Sequence, residues 1–404
     1  MNAINKFFTI FEKIQEVIVL FAVACLTIHY FGGYYLIITT IGDHSRLLAE
    51  IAITLLFFKI VTTRYSVREF LCVVLLLLLA VTNYRYSGNT RAIYNVLMLC
   101  SLKNVDLKKV FRVSFVSIVF IIGLLAALAL SGVTGTVSIT EDFGRGVGEA
   151  KIETRYTMGF IHPNTWAQAV FSAMLLGVLA FWEKVDWKGI LLLAVINYGV
   201  YRLAISRASF LCGIALIVLV FLAKYAKRFY EFWIIRIGII GGITAIWAII
   251  LTSKVNIVEN LEWLNLDKKI FTGRLMMAKY YFDTMGWSYF GEKVPSHMVE
   301  NGWVLDMGYM RMLLENGVII FGLMFAATIA LLIYAFIHKR NDIIVTVLCI
   351  CLYGIYENKA ISQVPANLMI YYMALLMYHK KKVKKKKKSK SKTHTCIEEQ
   401  VVLE

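Results

Sequence analysis

The chain has 404 residues, of which 59% are hydrophobic and only 17% charged, with a net charge of +17. This composition is too apolar for a soluble globular protein. Apolar runs such as 113–130 and 317–336 match the length that a bilayer-crossing helix needs. We therefore predict an all-α, polytopic membrane protein.

Twelve membrane spans are predicted from the apolar runs. They lie near 14–41, 46–62, 69–84, 90–102, 110–130, 163–182, 187–203, 208–224, 232–252, 308–337, 342–357 and 366–378. Lys and Arg are frequent in the connections at one set of span ends, and short connections of that kind face the cytoplasm. We therefore expect a multi-pass cell-membrane protein with both termini cytoplasmic and with loops 131–158, 253–306 and 358–365 facing outward.

Residues 1–378 form the predicted membrane domain, and residues 379–404 form a Lys-rich tail with ten lysines between 380 and 392. Such a run can bind nucleic acid. Because it directly follows the last apolar run, it indicates a cytoplasmic anchor beside anionic lipid instead. The lipid bilayer is thus an expected partner and nucleic acid is not. The seven cysteines fall in spans or in the tail, so no disulfide framework is predicted.

Arginines on the predicted outer side are candidates for binding an anion, because the positive-inside rule disfavours them in short outer loops. They are Arg85, Arg91, Arg155, Arg202, Arg207 and Arg274. A single such arginine can be a snorkelling anchor at the membrane edge. Six on one side, several of them at span ends, favour a shared site for a phosphate or pyrophosphate.

Two short segments place polar residues at the starts of spans. Gly159-Phe-Ile-His162-Pro-Asn164 opens a helix with proline in its first turn. His162 and Asn164 either cap that helix or face an anion at its N-terminus, and the sequence leaves both open. Arg207 lies in so short a turn that it must be at the rim of the bundle, where a functional role is the default hypothesis for an ionisable side chain.

The long loop 253–306 holds further candidates. Residues 275–285 carry apolar and aromatic side chains at helical spacing, which indicates an amphipathic helix capped by Thr272, on the membrane surface or over the bundle mouth. His297 follows, and His supplies a base near neutral pH without tuning, although a lone His is more often structural. The other long loop, 131–158, is Gly- and Thr-rich and then charged, which indicates an irregular, flexible surface segment.

Glu357 ends the eleventh predicted span. A carboxylate at that depth in the membrane needs a cationic partner, either Lys359 or an outer arginine. No phosphate-binding glycine loop, nucleophile elbow or metal-binding motif is present in the sequence. We therefore expect no cofactor, no metal ion and no ATP-driven step.

In this order, the motifs resemble those of the Wzy-type polysaccharide repeat-unit polymerases, especially of Gram-positive capsule and exopolysaccharide systems, and of the wider O-antigen polymerase and ligase superfamily. The matching motifs are Gly159-Phe-x-His-Pro-Asn164, Ser206-Arg207, Thr272-Gly-Arg274, Phe290-Gly291, Asp306-x-Gly-Tyr309, Glu315-Asn-Gly317 and Glu357-Asn358. They cover most of residues 159–358, whereas the first 130 residues match only as apolar spans.

The resemblance implies a glycosyltransferase that polymerises oligosaccharide repeat units linked to undecaprenyl pyrophosphate on the outer face of the membrane, with the lipid pyrophosphate as leaving group. The lipid-linked repeat unit would be its substrate, and other polysaccharide-assembly membrane proteins would be further partners. By the same resemblance, pyrophosphate binding is expected at Arg155, Arg207 and Arg274, substrate contact at Asn164, Tyr309 and Glu357, and the base or orienting group at His162, His297 or Asp306.

Three other functions are compatible with the sequence. A flippase for the same lipid-linked sugar would need polar side chains along a path through the membrane, and only Glu50, Lys59 and Asn197 lie near span centres or ends. A ligase that transfers a finished glycan to another acceptor is not separated from a polymerase. A non-enzymatic scaffold would not explain the outer arginines.

Overall fold

Fifteen α-helices and one β-hairpin are formed by the residues that the computed structural model describes, which are 2–36, 42–133, 135–142, 152–226, 228–254, 259–271, 273–296, 298 and 305–378. The first eight helices are α1 (Asn2–Leu36), α2 (Gly42–Thr62), α3 (Val67–Ser87), α4 (Arg91–Ser101), α5 (Leu107–Leu130), α6 (Pro163–Ala180), α7 (Trp187–Ala204) and α8 (Arg207–Tyr225). The other seven are α9 (Trp233–Trp247), α10 (Leu261–Leu266), α11 (Arg274–Met285), α12 (Gly308–Ile337), α13 (Asn341–Tyr356), α14 (Asn358–Ser362) and α15 (Met369–Tyr378). The strands are β1 (Ser138–Asp142) and β2 (Ile152–Tyr156).

Six helices in the described part of the chain are long and apolar enough to cross a membrane. They are α1, α3, α5, α8, α9 with its 3-10 continuation Ala248–Lys254, and α12. The chain is therefore a helical membrane protein, as its composition predicts. The helices α2, α4, α6, α7, α13 and α15 fall where the other spans are predicted but are shorter or less apolar, so the count of twelve stays a prediction.

The turns between the long helices form two groups, one at each end of the bundle, and ion pairs or hydrogen bonds join the segments within each group. One end, which we call the lysine end, comprises the turns 63–66, 102–106, 181–186, 226–232 and 338–340. Ion pairs join neighbouring turns there. Lys103 pairs with Glu69 at 2.7 Å. Lys339 pairs with Glu231 at 2.9 Å.

The opposite end, which we call the arginine end, comprises the turns 88–90 and 205–206, the hairpin, the described parts of 254–307, and 357–368. Hydrogen bonds between distant segments hold it together. The Tyr30 hydroxyl donates to the Lys359 carbonyl oxygen at 2.8 Å. The Asn95 amide donates to the Ser362 carbonyl oxygen at 2.9 Å. The first, fourth and fourteenth helices are thereby joined at this end.

The middle of the bundle is formed by α6, α13 and α15, whose side chains are buried nearly all round. In contrast, α3, α7 and α9 expose apolar side chains such as Phe70, Leu192 and Ile237. In a membrane protein an exposed apolar face contacts lipid tails. These helices therefore form the outer wall of the bundle.

A hairpin lies within the loop 131–158, where the sequence indicated an irregular segment. Its strands β1 and β2 pair antiparallel, with Thr140 opposite Thr154 and Ile139 opposite Arg155. The Thr140 and Thr154 hydroxyls are 2.9 Å apart and share a hydrogen bond. β-Branched and aromatic residues favour a strand, and β2 carries them in alternation as Ile152, Thr154 and Tyr156, while β1 carries Ile139 and Thr140.

The helix α12 is broken at Gly317, which has a left-handed backbone with φ 78°. Trp247 contacts rings on both sides of the break: Tyr309 at 5.0 Å and Phe325 at 5.6 Å between centroids. In a straight helix those two residues would be about 24 Å apart along the axis, too far to share one ring. The chain therefore turns sharply at Gly317, and the first part of α12 lies beside the second.

Candidate functional site

A cluster of charged side chains lies at the arginine end, where α4, α11, α12 and α14 meet. We call it the charged cluster, and its members are Arg91, Arg274, Asp306, Arg311, Glu315, Glu357 and Lys359. Ion pairs and electrostatic interactions connect each member to at least one other. With all groups ionised the four cations outnumber the three carboxylates, so the cluster favours an anion.

Arg274 is the first residue of α11, and Asp267 fixes that helix start. The buried Asp267 carboxylate accepts the backbone N–H groups of Leu275 at 3.0 Å and Met276 at 3.1 Å. A carboxylate at a helix N-terminus satisfies free N–H groups and complements the helix dipole. Asp267 therefore caps α11, whereas the predicted cap Thr272 lies outside the described residues.

The Arg274 guanidinium is oriented by main-chain acceptors. Its Nε–H donates to the Tyr356 carbonyl oxygen at 2.9 Å, and Nη1 donates to the Phe271 carbonyl oxygen at 3.3 Å. These bonds direct Nη2 toward two carboxyl groups. It lies 3.6 Å from Oδ2 of Asp306 and 3.7 Å from Oε1 of Glu357. Three of the predicted site residues, from three separate segments, therefore meet at one nitrogen atom.

Asp306 and Glu357 differ in access. The Asp306 side chain is 36% exposed, whereas the Glu357 side chain is 12% exposed. Burial, with the Asp306 carboxylate as a second cause, raises the pKa of Glu357 to about 8. Burial also raises the pKa of Asp306, and the nearby Arg274 opposes that rise. The pair therefore retains a proton near neutral pH, which is the property of an acid–base pair.

Lys359 interacts with both the acidic and the basic members of the charged cluster. It is within electrostatic range of Glu357 and Asp306 and also of Arg311 and Arg91. Burial lowers the pKa of Lys359, while the two carboxylates oppose that change. The predicted partner of Glu357 was Lys359 or an outer arginine, and the structure places both close to it.

His162 caps α6, which was one of the two alternatives for this segment. Its Nδ1 accepts the backbone N–H of Asn164 at 3.1 Å, and Pro163 is the first residue of the helix. Burial lowers the pKa of His162, with Arg155 as the second cause. A neutral imidazole has one acceptor nitrogen, and the cap occupies it. His162 is therefore better suited to donate a proton through Nε2–H than to accept one, and it lies within electrostatic range of Asp306 and Lys359.

Arg155 belongs to the hairpin and is only 2% exposed. Its Nε and Nη2 donate to one oxygen of Glu153 at 3.2 and 2.8 Å. A buried arginine with a carboxylate partner is a neutral unit that can be purely structural. Its contribution near His162 is electrostatic, since it lies within range of that ring.

Neither Arg207 nor Tyr309 has an ion pair or hydrogen bond with a member of the charged cluster among the residues that the structure describes. Arg207 is an exposed residue at the start of α8, and its side chain has no ion pair or hydrogen bond to any residue that the structure describes. It is at the same end of the bundle, because Ser209 bonds the Tyr353 hydroxyl at 2.7 Å. Tyr309 is fully buried and donates its hydroxyl proton to the Cys351 carbonyl oxygen at 2.8 Å, as a packing residue would.

His297 and the lysine tail 379–404 lie outside the described residues, so their predicted roles stay predictions. In contrast, the roles of Arg311 and Glu315 in the cluster were not predicted. Their spacing of four residues within a helix is a signal for an ion pair that the sequence does contain. Among the described residues, no group of three or more His, Cys, Asp or Glu side chains is arranged to hold a metal ion.

The arrangement can bind an anion beside a carboxyl group that exchanges a proton. Arg274 supplies a fixed guanidinium, Asp306 supplies the more accessible carboxyl group, and Glu357 supplies a buried one. Such a combination stabilises charge that develops on a leaving group while the carboxylate takes a proton from an attacking hydroxyl. No protein-family model, curated protein or solved structure matches the chain.

Proposed function

We propose that the chain is a membrane glycosyltransferase that polymerises undecaprenyl-pyrophosphate-linked oligosaccharide repeat units into capsular polysaccharide or exopolysaccharide. The observation that supports this best is the Arg274 guanidinium, fixed between Asp306 and Glu357 at one end of a membrane bundle. It pairs a group suited to a departing diphosphate with a group suited to an attacking hydroxyl. The motif resemblance in the sequence supports the same substrate class.

In the proposed reaction, a hydroxyl oxygen of the acceptor sugar forms a bond to the anomeric carbon of the donor. The bond from that carbon to the phosphate oxygen breaks, and the diphosphate leaves with the electron pair. The hydroxyl proton passes to the Asp306 carboxylate, which is the more exposed of the pair. Arg274 stabilises the charge on the departing diphosphate, an effect that reaches several kcal/mol in preorganised sites. The proposed reaction uses neither a nucleotide sugar nor a metal ion.

Asp306 is preferred as the base over His162 because the acceptor nitrogen of His162 is engaged in capping α6. Glu357 is too buried to reach a sugar, so we assign it to positioning and to proton sharing with Asp306. His297 remains the third candidate from the sequence.

For the orientation, we propose that the lysine end faces the cytoplasm and the arginine end faces outward, as the positive-inside rule requires. Both chain termini would then be cytoplasmic. The twelve helices that run between the two ends would all lie in the bilayer, the shorter ones shielded from lipid by their neighbours. The reaction would take place at the outer surface.

A flippase for the same lipid-linked sugar is the second candidate, and the break in α12 favours it. Broken membrane helices are frequent at the binding sites of transporters. However, the break lies at the arginine end, beside Glu315 and the loop that contains Gly291. An enzyme site open to one surface fits that position better than a transport site near the midplane.

The test is the glycan pattern of a strain in which the gene is deleted and then restored with either the wild-type chain or Arg274→Lys. A polymerase defect leaves single repeat units on lipid at the outer leaflet. A flippase defect leaves them on the inner leaflet, and a ligase defect leaves long chains on lipid. Normal long-chain glycan in the deletion strain would remove the proposal.

A further inference from the structure

Two arginines share the Glu315 carboxylate in the part of the charged cluster that faces α3 and α4. Arg91 donates through Nη1 to Oε2 of Glu315, and Arg311 donates through Nε to Oε1 at 2.7 Å. Asn89 adds its amide to Oε2 at 2.6 Å. Both oxygens of this buried carboxylate are therefore occupied, and they hold the two guanidinium groups in fixed positions. One carboxylate neutralises only one of the two positive charges.

Most N–H groups of these two arginines have no hydrogen-bond acceptor among the described residues. A guanidinium has five N–H donors, yet Arg91 uses only Nη1 and Arg311 uses only Nε toward residues that the structure describes. The Arg91 and Arg311 side chains are 22% and 24% exposed, so their remaining donors reach solvent. Paired N–H groups of arginine match the spacing of two phosphate oxygens.

The surroundings keep this part of the cluster positive. Lys359 lies within electrostatic range of both Arg91 and Arg311. Asp306 is within electrostatic range of both Arg311 and Arg274. The pair Arg91–Arg311 and the guanidinium of Arg274 are therefore linked through the same carboxyl group.

We propose that Arg91 and Arg311 form a second phosphate site, which holds the diphosphate of the acceptor lipid while Arg274 meets that of the donor. This inference rests on the proposed function for the identity of the lipid. The recognition chemistry itself is that of any diphosphate group. Glu315 acts as a positioning residue, because it touches the arginines and lies too deep to touch the ligand. A reaction between two lipid diphosphates needs two such sites around one base, and the charged cluster supplies both.

The test is binding of farnesyl diphosphate, a short polyprenyl diphosphate, to the purified full chain in detergent by titration calorimetry. Arg311→Lys keeps the charge and can still pair with Glu315, but it loses the two-pronged contact. We expect it to weaken binding about tenfold or more, the effect of one lost charge-assisted contact of about 1.4 kcal/mol. Arg91→Lys should do the same and is an independent measurement if Arg311→Lys does not fold. Arg46→Lys is the matched control, an exposed arginine near the start of α2 that pairs with Glu50, and it should change affinity less than about twofold.

Inorganic pyrophosphate, titrated in parallel, separates the two sources of the diphosphate. If farnesyl diphosphate binds and inorganic pyrophosphate does not, the site recognises a lipid headgroup. If inorganic pyrophosphate binds equally well, and Arg91→Lys and Arg311→Lys weaken its binding to the same extent, the site recognises a free diphosphate. Unchanged affinity in both Arg91→Lys and Arg311→Lys overturns the site. If the deletion strain still makes long glycan while Arg311→Lys loses binding, the polymerase proposal fails and the phosphate site stands.

Discussion

Asp267 accepts the backbone N–H of Leu275 at 3.0 Å, and this bond sets where α11 begins. The residue before Leu275 is Arg274, so the cap also decides where its guanidinium lies. The positions of the two carboxyl partners are fixed separately, Asp306 by the entry to α12 and Glu357 by the end of α13. The proposed site therefore depends on a helix start that contributes no atom to the chemistry.

The role of this cap can be tested with Asp267→Ala. Losing a side-chain cap costs about 0.5–2 kcal/mol, and we expect a lower melting temperature of the detergent-solubilised protein. Glycan polymerisation should fall as well, because the first turn of α11 loosens. Asp283→Ala on the same helix is the control, since Asp283 is 55% exposed and its one ion pair among the described residues is with Lys279. It should change stability by less than about 0.5 kcal/mol. Equal effects of the two substitutions would contradict the assigned role of Asp267.

Arg274→Lys tests the guanidinium itself. Lysine retains the positive charge but cannot donate at once to Tyr356 and face both carboxyl groups. We expect chain elongation to fall about a hundredfold, the usual effect of losing one preorganised donor to a leaving group. The measurement is incorporation of labelled repeat units into long glycan by membranes that contain equal amounts of protein.

Arg202→Lys is the control for that substitution. Arg202 is one of the six predicted outer arginines, but in the structure it is exposed and interacts with Tyr198 and Tyr201, and no described ion pair joins it to the charged cluster. Its replacement should leave elongation within about twofold of the wild type. A similar loss in both variants would indicate a general need for positive charge at this surface instead of a site at Arg274.

The sequence predicted the membrane class and singled out three residues that meet in the charged cluster, but did not predict how they combine. Arg274, Asp306 and Glu357 were each candidates, and local patterns cannot show that three segments meet at one nitrogen atom. The pairing of Arg311 with Glu315 was visible as a four-residue spacing. The sharp turn at Gly317 was not, because an apolar run longer than a bilayer span predicts one continuous helix.

That turn gives a prediction for Gly317→Ala. A Cβ atom at this position would lie 2.4 Å from the Gly291 nitrogen and from the Tyr289 oxygen, and the backbone has a positive φ. The close contacts and the backbone strain both disfavour a side chain at this position. We therefore expect the free energy of unfolding to fall by about 1–3 kcal/mol or more, seen as a lower melting temperature. Gly322→Ala, further along the same helix, has nothing within 4 Å of the added Cβ. It should be neutral or stabilising by about 0.5–1 kcal/mol. If Gly317→Ala leaves the melting temperature unchanged, the two parts of α12 can shift relative to each other, and the sharp turn does not require glycine.

The buried carboxyl group predicts how stability depends on pH. Burial raises the pKa of Glu357 from 4.5 to about 8, so the folded protein holds a proton there that the unfolded chain releases. The stability that this proton contributes is fully present below the pKa of Glu357 in the unfolded chain. It is lost as the pH rises through the pKa of Glu357 in the folded protein. We therefore expect the melting temperature to fall between about pH 5 and about pH 8. Glu357→Gln cannot titrate and should flatten that slope.

Glu231→Gln is the control for the pH series. Glu231 is an exposed group at the lysine end, and its hydrogen bond with Lys339 lowers its pKa. Its titration is therefore complete below the pH window in which Glu357 titrates, and its removal should leave the slope unchanged. If the wild type and Glu357→Gln show the same slope, Glu357 is already ionised near neutral pH. Asp306 would then have no partner to share a proton with, and the assignment of Glu357 to proton sharing would be wrong.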